Sequence, residues 1–165
     1  MTELLDFARP REPKFRDLDL AASVDDVVKL ARSSLTASNV EIETQVPSDV
    51  PLVQGDAEQI KQVLLNLTMN AIQATGDSGV VTVGARRDGR HVMLIVADDG
   101  PGVPEEMRSR IFDPFFTTRD SGTGLGLAVV QQIVTQHGGR IDVETNGSRG
   151  ARFVGSIPIR RGSEE

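Results

Sequence analysis

Apolar residues recur along this chain with two periods, and the switching between them outlines its elements. Val24, Val27, Val28 and Ala31 share one side at helical spacing. They predict a helix over residues 23–35, opened by Ser23 with Asp26 three positions on in a capping-box pattern. From Val40 to Val46 apolar and polar residues alternate, as in a half-buried strand, and Pro47 and Pro51 bound the loop after it. Asp56 with Gln59 caps a longer helix reaching about Thr75, whose core face is Ile60, Val63, Leu64, Leu67, Ala71 and Ala74. Strands are predicted over 80–85 and 92–97, joined at Asp88-Gly89. A short helix over 104–110 and a period-free loop over 111–124 lead to a helix over 125–136, stopped by Gly138-Gly139. A last hairpin, 140–144 and 151–157, turns at Asn146-Gly147. Before all of these, Leu4, Leu5, Phe7 and Ala8 read as a helix end that Pro10 and Pro13 break off into a linker. Helices alternating with antiparallel strand pairs predict an α/β (α+β) two-layer sandwich, a mixed sheet with its helices on one face.

Composition narrows the classes. At 165 residues the chain is one domain's worth, and 38% hydrophobic with 25% charged residues is ordinary for a globular protein. No stretch approaches the ~18 consecutive apolar residues of a membrane span. The first six residues lack the basic start and apolar run of a signal peptide. Zero cysteines exclude disulfides and thiol catalysis and suit a reducing cytoplasmic setting. A net charge of −6 repels polyanions, so no nucleic acid is expected as partner, and any phosphate ligand needs a locally favourable site.

Three constellations meet that requirement. On the longer helix Gln59, Gln62, Asn66, Asn70 and Gln73 fall in one stripe at steps of three and four. A solvated face would normally carry Glu, Lys and Arg, whereas this stripe is neutral amide throughout, and asparagine is a mediocre helix former. An amide oxygen is a hard, neutral ligand suited to a magnesium ion that bridges phosphates. The second constellation, Asp98-Asp99-Gly100-Pro101-Gly102, ends the strand over 92–97. It has the composition of a simple turn. It also offers a carboxylate to an adenine amino group, with glycines that let a flat ring approach the backbone. The third is Ser121-Gly122-Thr123-Gly124-Leu125-Gly126-Leu127 at a helix start, where free N–H groups and the helix dipole favour an anion. It lacks the Lys and Ser/Thr of a P-loop and the spacing of a dinucleotide fingerprint. Thr117-Thr118-Arg119 just upstream has the makings of a lid over the terminal phosphates.

Their order along the chain is Asn66-Leu67-Thr68-Met69-Asn70-Ala71, then Asp98-x-Gly100-x-Gly102, then Phe112-Asp113-Pro114-Phe115-Phe116, then Gly122-x-Gly124-x-Gly126. That succession resembles the N, G1, F and G2 boxes of sensor histidine kinases within the GHKL ATPase superfamily. Asn70-Ala71-Ile72-Gln73-Ala74 and Phe115-Phe116-Thr117-Thr118-Arg119 are closest to the nitrogen-regulation type. The resemblance implies a Bergerat ATP-binding fold over 17–160, with 1–16 as the tail of dimerisation helices and a linker, and 161–165 as a C-terminal tail. It implies ATP and Mg2+ as cofactors. Asn70 would hold the metal, with Asn66 and Gln73 beside it. Asp98 would read adenine, and Gly100, Gly102, Gly122, Thr123, Gly124, Leu125, Gly126 and Leu127 would shape the pocket. Thr118 and Arg119 would meet the terminal phosphate. Two departures stand out. Gln73 occupies a position where many relatives carry a basic residue, and Gly150-Ala151-Arg152-Phe153 lacks the hydroxyl that relatives often place there.

Hydrolytic and serine-kinase members of that superfamily typically carry Glu four residues before the magnesium asparagine. Asn66 stands there in this chain and cannot take up a proton. An imidazole already has a nucleophilic nitrogen when neutral, so a histidine kinase is favoured over a hydrolase. A non-catalytic, ATP-gated interaction module is the alternative of a different class. Only His91 and His137 are present. His91, after a hairpin turn, is expected to be exposed. His137, before Gly138-Gly139, is expected to serve structure as a cation at a helix C-terminus. Neither fits the acceptor, which belongs on a separate dimerisation domain, with a response regulator as indirect partner. The piece alone is expected to be monomeric and without direct membrane contact. Phe112, Phe115 and Phe116 are either core anchors or a docking surface for those helices.

Overall fold

The computed structural model describes residues 11–35, 38–114, 116, 126–147 and 149–159. In chain order these form β1 (Arg16–Leu18), α1 (Leu20–Ser33), β2 (Asn39–Gln45), β3 (Val53–Gly55), α2 (Ala57–Thr75), β4 (Ser78–Asp88) and β5 (His91–Ala97). A 3-10 turn (Glu105–Met107), α3 (Gly126–Gln136), β6 (Arg140–Thr145) and β7 (Ala151–Pro158) follow.

Five strands make the main sheet, in the order β2-β4-β5-β7-β6, and β1 pairs with β3 in a separate two-stranded ribbon. The β2–β4 pair is parallel and the other three pairs are antiparallel. The parallel pair follows from connectivity. The chain between β2 and β4 runs through α2, and only a crossover of that length lets two strands point the same way. Alternation along the strands sends Val81, Val83 and Ala85 of β4 and Val92, Leu94 and Val96 of β5 into the core beneath the helices. From α2, Ile60, Val63, Leu64 and Leu67 meet them, each 0% exposed. Burying a side chain of that size stabilises by roughly 1.5–3 kcal/mol, so this face of α2 anchors the fold.

Several boundaries differ from expectation. The first helix opens at Leu20, capped by Asp19, whose carboxylate accepts from the Ala21 N–H at 3.0 Å. Ser23, expected as the cap, is buried one turn inside the helix, because Leu20 continues the apolar stripe upstream. The helix expected over 104–110 is a single 3-10 turn, and the segment buries no side chain of its own that would hold a longer one against the core. β4 extends from Ser78 to Asp88 because β2 and β5 pair along both its edges. The three-residue strands β1 and β3 are too short to show a period and exist through their mutual pairing. Phe112 is a core residue, edge-on to Phe153 with ring centroids 6.2 Å apart. Phe116 is half-buried under the Arg110 guanidinium at 5.0 Å, and Phe115 lies outside the described residues. No helix among the described residues is long and apolar enough to cross a membrane.

Candidate nucleotide site

The site is organised around the end of β5. Asp98 is 1% exposed, an unusual place for a carboxylate unless its oxygens are used. One of them is. Oδ1 accepts from the Gly100 N–H at 2.8 Å and from the Ala151 N–H at 3.1 Å. Its backbone is clamped as well. The Asp98 N–H donates to the Ala151 carbonyl at 2.9 Å, and Asn146 Nδ2 donates to the Asp98 carbonyl at 2.8 Å. No described residue donates to Oδ2, which leaves that oxygen available to a ligand donor. Burial pushes the Asp98 carboxyl up from its ordinary value of 3.8; the Ala151 and Gly100 N–H groups oppose the rise, and the neighbouring Asp99 charge adds to it.

The turn between β6 and β7 does more here than reverse the chain. Gly150 has φ +97°, and a Cβ there would run into the Asp98 carbonyl oxygen, so only glycine lets this turn close on the site. Ala151, which has no side-chain hydroxyl to offer, contributes its backbone N–H to Asp98. Asn146 was legible only as a turn residue, because its role depends on a contact across about fifty positions. Asp99 is structural. Its Oδ2 accepts from the Val80 N–H at 2.8 Å and its carbonyl from Arg149 Nε at 2.8 Å.

The helix α2, which carries the amide residues, packs against the loop of this carboxylate. Near its C-terminus the Ala74 carbonyl lies only 2.5 Å from where a Cβ on Gly100 would sit, so the glycine permits direct packing of the Asp98 loop on α2. Gly102, with φ +83°, continues that loop against Gly150. Asn66 and Asn70 are both half-buried, one turn apart on α2, and Gln73 is exposed one turn beyond. Asn66 Nδ2 donates to the Gly126 carbonyl at 3.3 Å, which joins α2 to the first residue of α3. Leu127 is half-buried in that first turn. Thus α2 forms a shared wall between the Asp98 loop and the start of α3. Thr118, Arg119, Gly122, Thr123, Gly124 and Leu125 lie outside the described residues.

Two expectations are corrected. Gln59 does not join the amide stripe at the site. It is 3% exposed in the first turn of α2, where its Nε2 donates to the Arg11 carbonyl at 2.6 Å. His137 is structural, as expected, but not as a cation. It is 1% exposed, and its Nε2 accepts from the Asp56 N–H at 3.1 Å. The proton must therefore sit on Nδ1, which donates to the Ile133 carbonyl at 2.8 Å, and the ring is neutral. His91 is exposed at the start of β5.

A buried carboxylate at a strand end, glycines packing loop on helix, and amides on the adjoining helix define a nucleotide-binding ATPase-type domain. Residues 55–161 match the family described as histidine kinase-, DNA gyrase B-, and HSP90-like ATPase, and the chain belongs to that family. It is 40% identical over 161 residues to the sensor histidine kinase ZraS of Klebsiella oxytoca, an alignment covering 96% of this chain and 35% of the relative. Its fold is similar to that of full-length ShkA solved in complex with AMPPNP, with TM-score 0.85, 32% identity, and coverage of 96% of this chain and 35% of that one. It is also similar to the histidine kinase ThkA solved in complex with the response regulator protein TrrA, with TM-score 0.82, 33% identity, and coverage of 96% and 46%. The chain spans about a third of the length of the curated relative it matches.

Proposed function

We propose that this domain binds Mg-ATP and transfers the γ-phosphoryl group to a histidine on a separate dimerisation domain. The observation that carries the reading is Asp98, a buried carboxylate with one oxygen held by two backbone N–H groups and the other unbonded among the described residues. An adenine amino group is the complementary donor, and AMPPNP in the similar ShkA structure is an adenine nucleotide. Asn70 fits a magnesium ion chemically: its amide oxygen is hard and uncharged, and it stands half-buried on α2 one turn before Ala74, on which Gly100 of the Asp98 loop packs. Among the described residues no group of three or more His, Cys, Asp or Glu could hold a metal unaided. The ion would therefore arrive chelated by the triphosphate, whose charge it would offset. Thr118 and Arg119 would act on the terminal phosphate, and the glycine turn up to Gly126 would offer N–H groups to the phosphates.

Histidine as acceptor is supported by Asn66, which stands where a general base would be needed to activate water or a hydroxyl and whose amide is engaged with Gly126. The kinase in this reading is of the nitrogen-regulation type, and the domain's partners are its dimerisation helices and, through the phosphohistidine, a response regulator, all in the cytoplasm. The test mixes the purified chain with a separately produced dimerisation fragment and γ-labelled ATP. Acid-labile, base-stable label on the fragment's histidine is the expected result. ATP uptake without transfer to any fragment would favour the ATP-gated module, and hydrolysis alone would favour a simple ATPase.

A further inference from the structure

Residues 11–14 precede the first strand, yet they are fastened to the fold at a single buried point. The Arg11 guanidinium forks onto Asp56, with Nη1 to Oδ2 at 2.6 Å and Nη2 to Oδ1 at 3.0 Å. The Lys14 N–H donates to Asp56 Oδ2 at 2.8 Å, and Gln59 Nε2 donates to the Arg11 carbonyl at 2.6 Å. A weaker outer contact runs from Nη2 to the exposed Glu58 at 3.1 Å. Asp56 is itself the cap of α2, its Oδ1 accepting from the Gln59 N–H at 3.1 Å. Burial alone would raise this carboxyl, but the Arg11 guanidinium and the Lys14 and Gln59 N–H groups hold it well below its ordinary value of 3.8.

This corner belongs to a closed frame. The Asp56 N–H donates to His137 just past the C-terminal end of α3, and Asn66 donates to Gly126 at the N-terminal end of the same helix. Thus α3 is tied at both ends to α2, at the cap of α2 and near its middle, and the frame they make bounds the candidate site. A helix is stiff over such a distance, with Asn66 about 15 Å along the axis from Asp56 at ~1.5 Å per residue. A tilt imposed at the cap therefore reaches the amide residues. An exposed ion pair would do little, but here the acceptor is buried, and a bidentate fork fixes direction as well as distance.

We propose that Arg11 and Asp56 are positioning residues for the nucleotide site, their fork passing the placement of residues 11–14 into α2 and setting the alignment of Asn66 and Asn70. This rests on the ATP-binding reading above. The test measures affinity of the whole chain for the magnesium complex of a non-hydrolysable ATP analogue, well below the unfolding midpoint, for wild type, Arg11→Gln and Arg11→Lys. Hydrogen exchange of the Lys14 amide is followed with and without the analogue. The expected result is a three- to tenfold loss of affinity in Arg11→Gln, a smaller loss in Arg11→Lys, and slower Lys14 exchange in wild type on nucleotide addition, about the size reciprocal coupling produces. Equal affinities within twofold, with Lys14 exchange indifferent to nucleotide, overturn the proposal and leave the fork a purely structural clasp. Wild-type chain that takes up no analogue at millimolar concentration would instead remove the ATP-binding reading, and this proposal with it.

Discussion

Replacing Asp98 by Asn changes no heavy-atom count and isolates the charge at the centre of the site. The Asn oxygen can keep accepting from Gly100 at 2.8 Å and Ala151 at 3.1 Å, so the loop retains its clamp. The amide nitrogen then points a donor where the adenine amino group would also donate. Losing one charge-assisted hydrogen bond costs about 1.5–3 kcal/mol, or roughly ten- to 150-fold in affinity. Stability should move the other way. Because burial raises the folded-state value of Asp98 above the ordinary 3.8, the fold prefers the protonated form. Its contribution is favourable below the unfolded value and is lost as pH rises through the raised value, so at neutral pH the ionised carboxylate burdens the empty fold. The Asn variant is relieved of that burden and should unfold at the same or a higher temperature. Nucleotide selects the ionised form, so the wild-type advantage should shrink as pH falls through the raised value. Titration calorimetry of the magnesium–analogue complex from pH 7.5 to 4.5, beside thermal melts, checks both. Affinities of wild type and Asp98→Asn within twofold across that range would refute the assignment of Asp98 to adenine.

If Asn70 holds the metal as proposed, Asn70→Asp would add a negative charge beside the triphosphate and is expected to lower phosphotransfer to the dimerisation fragment by about 100-fold or more, with an unchanged circular dichroism spectrum; radiolabel transfer assays measure it. Leu64→Ala, at a position 0% exposed on the core face of α2, should cost about 2–5 kcal/mol, seen as a lower denaturant midpoint with unchanged slope. Gly150→Ala forces a side chain into a φ of +97° and against the Asp98 carbonyl. It should lower stability by about 1–3 kcal/mol and weaken nucleotide binding, whereas Gly147→Ala, with φ +65° but open space around it, should spare binding.

The elements that bury a long periodic face were open to reading from the chain alone. Ile60, Val63, Leu64 and Leu67 marked α2 because burial acts through spacing, and spacing is local. The same holds for the alternating strand β2 and for the Asp56 cap, whose partner Gln59 is three residues away. The amide residues Asn66 and Asn70 and the carboxylate Asp98 were conspicuous because each is costly where it stands without a use: asparagine inside a helix, a charge at the end of an apolar strand. Local pattern could not show which polar groups would meet. Gln59 lay in the same stripe as Asn66, yet packing turned the first to Arg11 and the second to Gly126. His137 had the signature of a helix-end cation, and only the Asp56 N–H, 81 positions away, made it a neutral acceptor. The clasp of Asn146 and Gly150 on Asp98, the short ribbon of β1 and β3 and the Arg11–Asp56 fork likewise join distant stretches of chain. Hydrophobic periodicity is written residue by residue, whereas a hydrogen-bond partner is chosen by whatever the packed core brings within 3 Å, and that choice exists only once the chain has folded.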